Sequence, residues 1–387
     1  MNRLAKLLLK IYAKFVRKSH DYIIFESGES FFDNAYALYV YIKKNFPQYK
    51  LKYLTLSKEM RKSGKIRGVS KKEMINVNNK LKLYRYSLKA KVIFYSYMNY
   101  WRKLKLQDDT PIVWATHGEF PIKDCKVYYD MMFCPQENII DIACRTENNK
   151  QILTTKYPIW NNHRVNILGT PRNDMLFHST LKKEDFLKSI GVTNFENKFV
   201  ILSMTTFRHA DVKGVEYFTE EFPIHLNESE LQELDSILEK NNELLLIKLH
   251  HCQSGVVIPN GFKNIYFINN QILSDLDLSI NEVYTVVDVL ITDYSNSYLG
   301  FLPLDRKEAF LLGDMEDYNA KRGYTVDDVK SIIPGEKIYT KDEFFKFLET
   351  ANSDYDPYKE ARHDILLRFV GDYKDQNCKS FTDYYLK

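Results

Sequence analysis

Short apolar runs of five to eight residues recur along the chain, and the stretches between them carry helical spacing. Strand-length runs alternating with helices are the pattern of parallel sheets covered on both faces, because each parallel crossover needs a connection long enough for a helix. The runs form two sets. The first comprises "DYIIFE" (21–26), "KLKYLTL" (50–56), "KVIFYS" (91–96), "PIVWAT" (111–116), "DMMFC" (130–134) and "RVNILG" (164–169). The second comprises "KFVILSM" (198–204), "ELLLIKLH" (243–250), "NIYFIN" (264–269), "DVLITD" (288–293) and "EAFLLG" (308–313). A chain of 387 residues has room for two domains with separate cores. The expectation is therefore an α/β fold of two doubly wound domains facing each other. They are expected to divide between residues 175 and 185, giving an N-terminal domain over 21–178, a C-terminal domain over 179–350 and closing helices over 351–387. In the helical stretch "NESELQELDSILEKN", Ser229 is one candidate N-cap, with Glu230 and Glu233 in the first turns. The run "SKEMRKSGKIRGVSKKEM" (57–74) reads as a polar, basic and mobile connection.

Ligands of open α/β sheets bind outside the carboxyl ends of the strands. Those ends carry polar residues in several places: His117 after "IVWAT", "GTPRND" after "VNIL", "TTFRH" after "VILSM", His250 and His251 after "LLLIKL", and Asp293, Tyr294 and Ser295 after "VLIT". In "DVLITDYSNSYLGF" the small polar residues read as a turn into a helix, whose first N–H groups lack partners and suit an anion. Dinucleotide and P-loop phosphate signatures are absent from the sequence, as is the nucleophile elbow of hydrolases. The D-x-D match "DLD" at 275–277 sits in a helix-like stretch and is not expected to hold a metal.

The formal net charge of +4 conceals an asymmetry: the first 105 residues carry about +19 and the remainder about −15. Nucleic acid and an anionic membrane surface both fit so basic a half. The segment 1–20 favours the membrane. Arg3, Lys6, Lys10, Lys14 and Arg17 fall on one side of a helix and Leu4, Leu8, Ile11, Tyr12 and Phe15 on the other, the pattern of a basic amphipathic helix lying in a bilayer interface. Neither zinc-finger spacing nor an RNA-recognition signature accompanies the charge, so no nucleic-acid partner is expected. The sequence holds no run of 18 uncharged apolar residues. Five cysteines without a C-x-x-C pair point to a reducing, cytosolic compartment and no zinc site.

The motifs "WATHGEFPIK", "GTPRND", "TTFRH", "IKLHH", "VVDVLITDYSNSYLGFLPLD" and "YNAKRGYTVDDVKSIIPGE", in that order, resemble the CDP-glycerol glycerophosphotransferase family. That family comprises the teichoic-acid primases and polymerases and related capsule polymerases of bacteria. The resemblance covers nearly all of residues 22 to 387. It implies a GT-B fold, two Rossmann-like domains with the active site in the cleft between them, and a reaction needing no metal or other cofactor. It further implies transfer of a polyol phosphate, glycerol phosphate foremost, from a CDP-activated donor to a hydroxyl of a lipid-linked saccharide or polyol-phosphate acceptor, with release of CMP. The implied location is peripheral, on the cytoplasmic face of the bacterial cell membrane. The alternatives are a ribitol-phosphate transferase, a GT-B glycosyltransferase using a nucleotide sugar, and a non-catalytic protein that binds lipid-linked polymer.

Residue by residue, the resemblance implies His117 as general base and His250 at the donor phosphates. A hydroxyl nucleophile needs a base poised near neutral pH, and histidine is the natural choice. Without a metal, Arg208, Arg322 and the turn at Ser295, Asn296 and Ser297 are left to neutralise the diphosphate. Asp293 either holds that turn or supports catalysis, and Arg172 and Asp174 of "GTPRND" either brace the interdomain linker or line the cleft. The sequence departs from the family pattern at Gly118-Glu119-Phe120-Pro121, which is one residue longer and adds Glu119 on the acceptor side. It departs again at His251 in place of proline, at Asn296 in place of a second serine, still expected to cap, and at Gly300 in place of an aspartate.

Overall fold

The computed structural model describes residues 12, 15–16, 19–28, 32–55, 66–101, 110–116, 122–124, 138–206, 226–249 and 261–387. The chain forms two compact units. The first takes Met1–Glu119, Cys125–Phe177 and Tyr373–Lys387, and the second takes Phe120–Asp124 and His178–Asp372. The expected N-terminal helix (1–20) and the expected strand 130–134 lie almost wholly outside the described residues. Among the described residues no helix is long and apolar enough to cross a membrane.

The first unit contains β1 (Tyr22–Glu26), β2 (Lys50–Thr55), β3 (Met74–Asn76), β4 (Ala90–Tyr95), β5 (Ile112–Trp114), β6 (Asp141–Cys144) and β7 (Arg164–Ile167). They form one sheet in the order β3-β2-β1-β4-β5-β6-β7, and every described pairing is parallel. The helix Asn34–Asn45 starts where the Asp33 carboxylate accepts from the Asn34 N–H at 2.8 Å. It lays Tyr36, Tyr39 and Ile42 against Ile23, Phe25, Val92 and Phe94 of the sheet. The helix Asn377–Tyr385 adds Cys378, Phe381 and Tyr385 to the same core. Phe94 meets the last two edge-on, at ring centroid distances of 6.1 and 5.7 Å.

The second unit contains β8 (Phe199–Ser203), β9 (Glu243–Lys248), β10 (Ile265–Ile268), β11 (Val289–Thr292), β12 (Lys307–Leu311) and β13 (Glu336–Ile338), all parallel, in the order β10-β9-β8-β11-β12-β13. Leu231, Leu234 and Leu238 of the helix Glu228–Lys240, with Phe344 and Leu348 of Lys341–Thr350, cover Ile201, Leu245, Ile247, Val289 and Ile291. The closing helices divide between the units, Lys359–Phe369 packing with the second and Asn377–Tyr385 with the first.

Several elements depart from what the sequence suggests. The N-cap of Glu228–Lys240 is Asn227, not Ser229: Asn227 and Glu230 form a capping box, and the Ser229 hydroxyl donates to Asn227 Oδ1 at 2.6 Å. Three strands were not expected. β3 and β13 are three-residue edge strands, too short to show a pattern, and β6 ("DIAC") begins with Asp141, which binds Arg164 Nε at 2.6 Å and the Tyr385 hydroxyl at 3.0 Å. Part of 57–74 is anchored where a mobile connection was expected. Ile66 and Val69 bridge each other and are 5% exposed, and the Gly68 carbonyl accepts from Tyr39 Oη at 2.8 Å and Lys43 Nζ at 2.7 Å.

At the start of β9, Glu243 is fully buried. Burial pushes its pKa up to about 7. A carboxyl whose folded pKa is raised favours folding while it stays protonated, so its contribution falls as pH rises from the unfolded value towards 7 and then levels. Glu243→Gln is expected to match wild type near pH 4.5 and to exceed it by about 1–3 kcal/mol above pH 7, read from urea unfolding at several pH values.

Candidate functional site

In the second unit β8 and β11 lie side by side and end together. Past their last ladder bonds the backbone needs new partners. Asp293, fully buried, supplies them. Its carboxylate accepts from the Thr206 N–H at 2.9 and 3.0 Å, from Thr206 Oγ1 at 3.0 Å and from the Ser295 N–H at 3.0 Å. Thr292 Oγ1 donates to the Met204 carbonyl at 2.7 Å and lies 2.9 Å from Ser297 Oγ. The two strand ends are thereby closed into one polar turn, with Asp293 holding it.

The turn leads into the five-residue helix Ser297–Phe301. Asn296 stands at its N-cap position with φ −70° and ψ −2°, and makes no capping bond. The expectation that it caps fails because a capping side chain reaches back only from extended backbone, and this backbone is already helical. Both polar atoms of the Asn296 carboxamide are buried and have no hydrogen-bond partner among the described residues. Burying an amide in that state is unfavourable, and an acceptor or donor arriving from a ligand would relieve it. Gly300 is buried within the same helix, and a Cβ there would lie 3.3 Å from the Tyr284 ring, so the aspartate of the family pattern would crowd that ring.

Around the turn stand Tyr294, noted in the sequence, and two further tyrosines that sequence reasoning passed over, Tyr318 and Tyr324. Tyr294 stacks on Tyr318 at 4.2 Å and lies 5.7 Å from Tyr324. Its hydroxyl donates to Asp314 Oδ1 at 3.0 Å, and burial followed by that carboxylate's charge raises its pKa far above the usual value. Arg322, half-buried, ends the helix Met315–Lys321, and Gly323 follows at φ +77°, the left-handed conformation that closes a helix. Onto this turn folds the short segment Ile122–Asp124. The Thr325 N–H donates to the Ile122 carbonyl at 2.8 Å, Thr325 Oγ1 to the Lys123 carbonyl at 2.7 Å, and the Asp124 N–H to the Gly323 carbonyl at 3.1 Å.

Two titratable groups at strand ends also escaped the sequence reading. The half-buried Lys248 ends β9, its Nζ donates to Asn270 Oδ1 at 2.8 Å, and desolvation lowers its pKa to about 8. Glu26, fully buried at the end of β1, accepts from the N–H groups of Gly28, Tyr97 and Met98 at 2.7, 3.2 and 2.9 Å, and burial still lifts its pKa to about 7. An acid closing an apolar run, as in "DYIIFE" and "DVLITD", is the signal that would have found Glu26.

The structure thus brings Asp293, Ser295, Asn296 and Ser297 together in the second unit, which also holds Arg322. Arg172 and Asp174 lie in the first unit. Arg172 Nη1 pairs with Asp33 Oδ1 at 2.9 Å. The Asp174 carboxylate accepts from the Asn377 N–H at 3.0 Å, Asn377 Nδ2 at 2.7 Å and the Cys378 N–H at 2.8 Å, while burial raises its pKa. His117, Glu119, Arg208 and His250 lie outside the described residues. Among the described residues no cluster of three or more His, Cys, Asp or Glu could hold a metal ion.

The family model described as CDP-Glycerol:Poly(glycerophosphate) glycerophosphotransferase matches residues 8–380. The chain is 29% identical over 234 residues to a teichoic acid glycerol-phosphate primase of Bacillus subtilis, covering 60% of this chain and 53% of that protein. It is 28% identical over 195 residues to the teichoic acid ribitol-phosphate polymerase TarL of Staphylococcus aureus, covering 49% of this chain and 32% of that protein. The chain therefore spans about half the length of the primase and about a third of TarL. Among solved structures, the wall teichoic acid polymerase TagF superposes with a TM-score of 0.72 at 18% identity, covering 99% of this chain and 93% of that one. A UDP-N-acetylglucosamine 2-epimerase superposes with a TM-score of 0.54 at 11% identity, covering 96% and 98%. These likenesses show the fold, GT-B with two parallel-sheet α/β units.

Asp293→Ala would strand the Thr206 and Ser295 N–H groups in a buried turn. The expected loss is about 2–4 kcal/mol of stability in urea unfolding, with Asp293→Asn intermediate because one acceptor oxygen survives.

Proposed function

Since the chain belongs to the CDP-glycerol:poly(glycerophosphate) glycerophosphotransferase family, we propose that it transfers a polyol phosphate from a CDP-activated donor to a hydroxyl of a lipid-linked saccharide or polyol-phosphate acceptor in teichoic-acid or capsule synthesis. The observation that carries this reading is the family match over residues 8–380. Glycerol is the proposed polyol, in keeping with the name of that family.

In the proposed reaction the acceptor oxygen attacks the phosphorus that bears the polyol. The bond from that phosphorus to the bridging oxygen breaks, CMP leaves, and the acceptor proton passes to His117. Phosphoryl transfer depends on positioning and on charge stabilisation. His250, Arg208 and Arg322 meet the diphosphate in this reading, with the hydroxyls of Ser295 and Ser297 and the unpartnered carboxamide of Asn296. Asp293 has its carboxylate engaged with Thr206 and Ser295, so its proposed part is to hold that turn in shape. Glu119 is assigned to the acceptor side. No metal enters the proposed step, the cationic and N–H groups of the chain taking that role.

The proposed location is the cytoplasmic face of the cell membrane, held peripherally. The segment 1–20 supplies a basic amphipathic helix in this reading, and the exposed Lys71, Lys72, Lys80, Lys82 and Arg85 of the first unit add charge suited to anionic headgroups.

A thermal-shift panel with CDP-glycerol, CDP-ribitol, CMP, CDP and UDP-glucose, each with and without EDTA, tests the donor. CDP-glycerol is expected to raise the melting temperature most, unaffected by EDTA. A larger shift with CDP-ribitol would change the polyol, and a shift with UDP-glucose alone would replace the reading with a sugar transferase. His117→Ala is expected to keep the CDP-glycerol shift and to lose about 10²–10⁴-fold in CMP release. Deleting residues 1–19 is expected to leave a folded protein that no longer sediments with phosphatidylglycerol vesicles.

A further inference from the structure

The end of β5 is strained. The strand stops at Trp114, and Ala115 and Thr116 lead out of it with 2% and 4% exposure. Thr116 sits at φ +52°. Among the described residues it is the only β-branched one with positive φ; the other non-glycine cases are Asn197, Asn242, Asp277, Asp305, His20 and Lys374. Left-handed backbone is costly for a β-branched side chain and persists only where surrounding contacts over-determine it.

One side chain supplies such contacts. Asn34, fully buried at the start of the helix Asn34–Asn45, donates from Nδ2 to the carbonyls of both Ala115 and Thr116 at 2.9 Å each. Its Oδ1 accepts from the Arg172 N–H at 3.0 Å, which fixes which way round the amide lies. Arg172 is itself held by Asp33, the residue before Asn34, and the Ala35 N–H donates to Ser96 Oγ at 2.9 Å at the end of β4. The Arg172 turn and the end of β4 thus fix the helix start from which Asn34 binds the last two residues before His117 in the sequence.

We propose that Asn34 is a positioning residue for the transfer reaction: it binds the Ala115 and Thr116 carbonyls and holds Thr116, the residue that precedes His117 in the sequence, in the left-handed turn. The inference rests on the reading of His117 as the base. It gives "GTPRND" a task that needs no contact with substrate, because the Arg172 N–H orients the Asn34 amide that does the holding. A glycine at 116 would adopt the same φ freely and hold it weakly. The threonine is held by the Asn34 bond to its own carbonyl and by the second bond to the carbonyl of Ala115 before it.

Thr116→Gly and Asn34→Ala, singly and combined, test this with His117→Ala beside them. Turnover is CMP release from CDP-glycerol with a lipid-linked disaccharide primer as the acceptor probe. Thr116→Gly relaxes the backbone without creating a clash, so its melting temperature is expected to match or exceed that of wild type. Its kcat is expected to fall about 10-fold or more, and that of Asn34→Ala about 100-fold, with KM for CDP-glycerol within about twofold of wild type in both. Because Asn34 acts through Thr116, the double variant is expected to be no worse than Asn34→Ala alone. Wild-type kcat in Thr116→Gly, a parallel rise in KM, or effects that multiply in the double variant would each overturn the proposal. Thr116→Gly decides the matter even if Asn34→Ala does not fold. Full turnover by His117→Ala would sink the reading of the base instead, whereas an inactive His117→Ala beside a fully active Thr116→Gly would sink the positioning role alone.

Discussion

A parallel sheet satisfies its backbone only along the ladder, and all its strands run out at the same edge. Each chain leaving that edge carries N–H and C=O groups that must find new partners without water if the site there is to stay closed. In this protein buried side chains supply those partners. Glu26 gathers three N–H groups from the ends of β1 and β4, Asn34 holds two carbonyls at the end of β5, and Asp293 ties the ends of β8 and β11. Acceptors meet N–H groups and a donor meets carbonyls, so residue type at each end follows from which backbone group is left over. The same edges carry the sequence motifs on which the functional reading rests.

This division separates polar residues that hold the site from those free to serve it. Asp293, expected either to hold the turn or to support catalysis, has its oxygens engaged by Thr206 and Ser295. Asn296, expected to cap a helix, has two buried polar atoms still unpartnered. The carboxylate that holds the turn and the carboxamide proposed to meet a ligand thus lie three residues apart in sequence, with Tyr294 anchoring the segment between them to Asp314.

Much of the fold was legible because strand-length apolar runs and helical spacing are local. β1, β2, β4 and β5, β7 to β12 all fall on expected runs. The failures share a cause. β3 and β13 are too short for periodicity to register, and β6 carries a charged residue whose partners lie elsewhere in the chain. Ile66 and Val69 were hidden by the basic residues around them, although two apolar side chains suffice to anchor a loop. At Asn227 the capping-box spacing to Glu230 is present in the sequence, but Ser229 two residues later is an equally favourable capping type, so residue type alone does not decide between them. Site residues were recognised by type and motif, but their partners were not. Arg172 meets Asn34 across 138 positions and Asp174 meets Asn377 across 203, and no local pattern encodes such pairs.

The Asp174 contact bears on how the protein is made. The first unit's core includes Cys378, Phe381 and Tyr385, and the helix bearing them is docked by the Asp174 carboxylate at its first turn. On the ribosome, residues 21–177 emerge early yet must wait for this helix before Phe94 gains its last aromatic neighbours. Residues 178–372, the bulk of the second unit, are synthesised in the meantime. Domains generally fold as units in order of synthesis, but the core of this first unit can be completed only after the bulk of the second has been synthesised, and until then Phe94 lacks Phe381 and Tyr385.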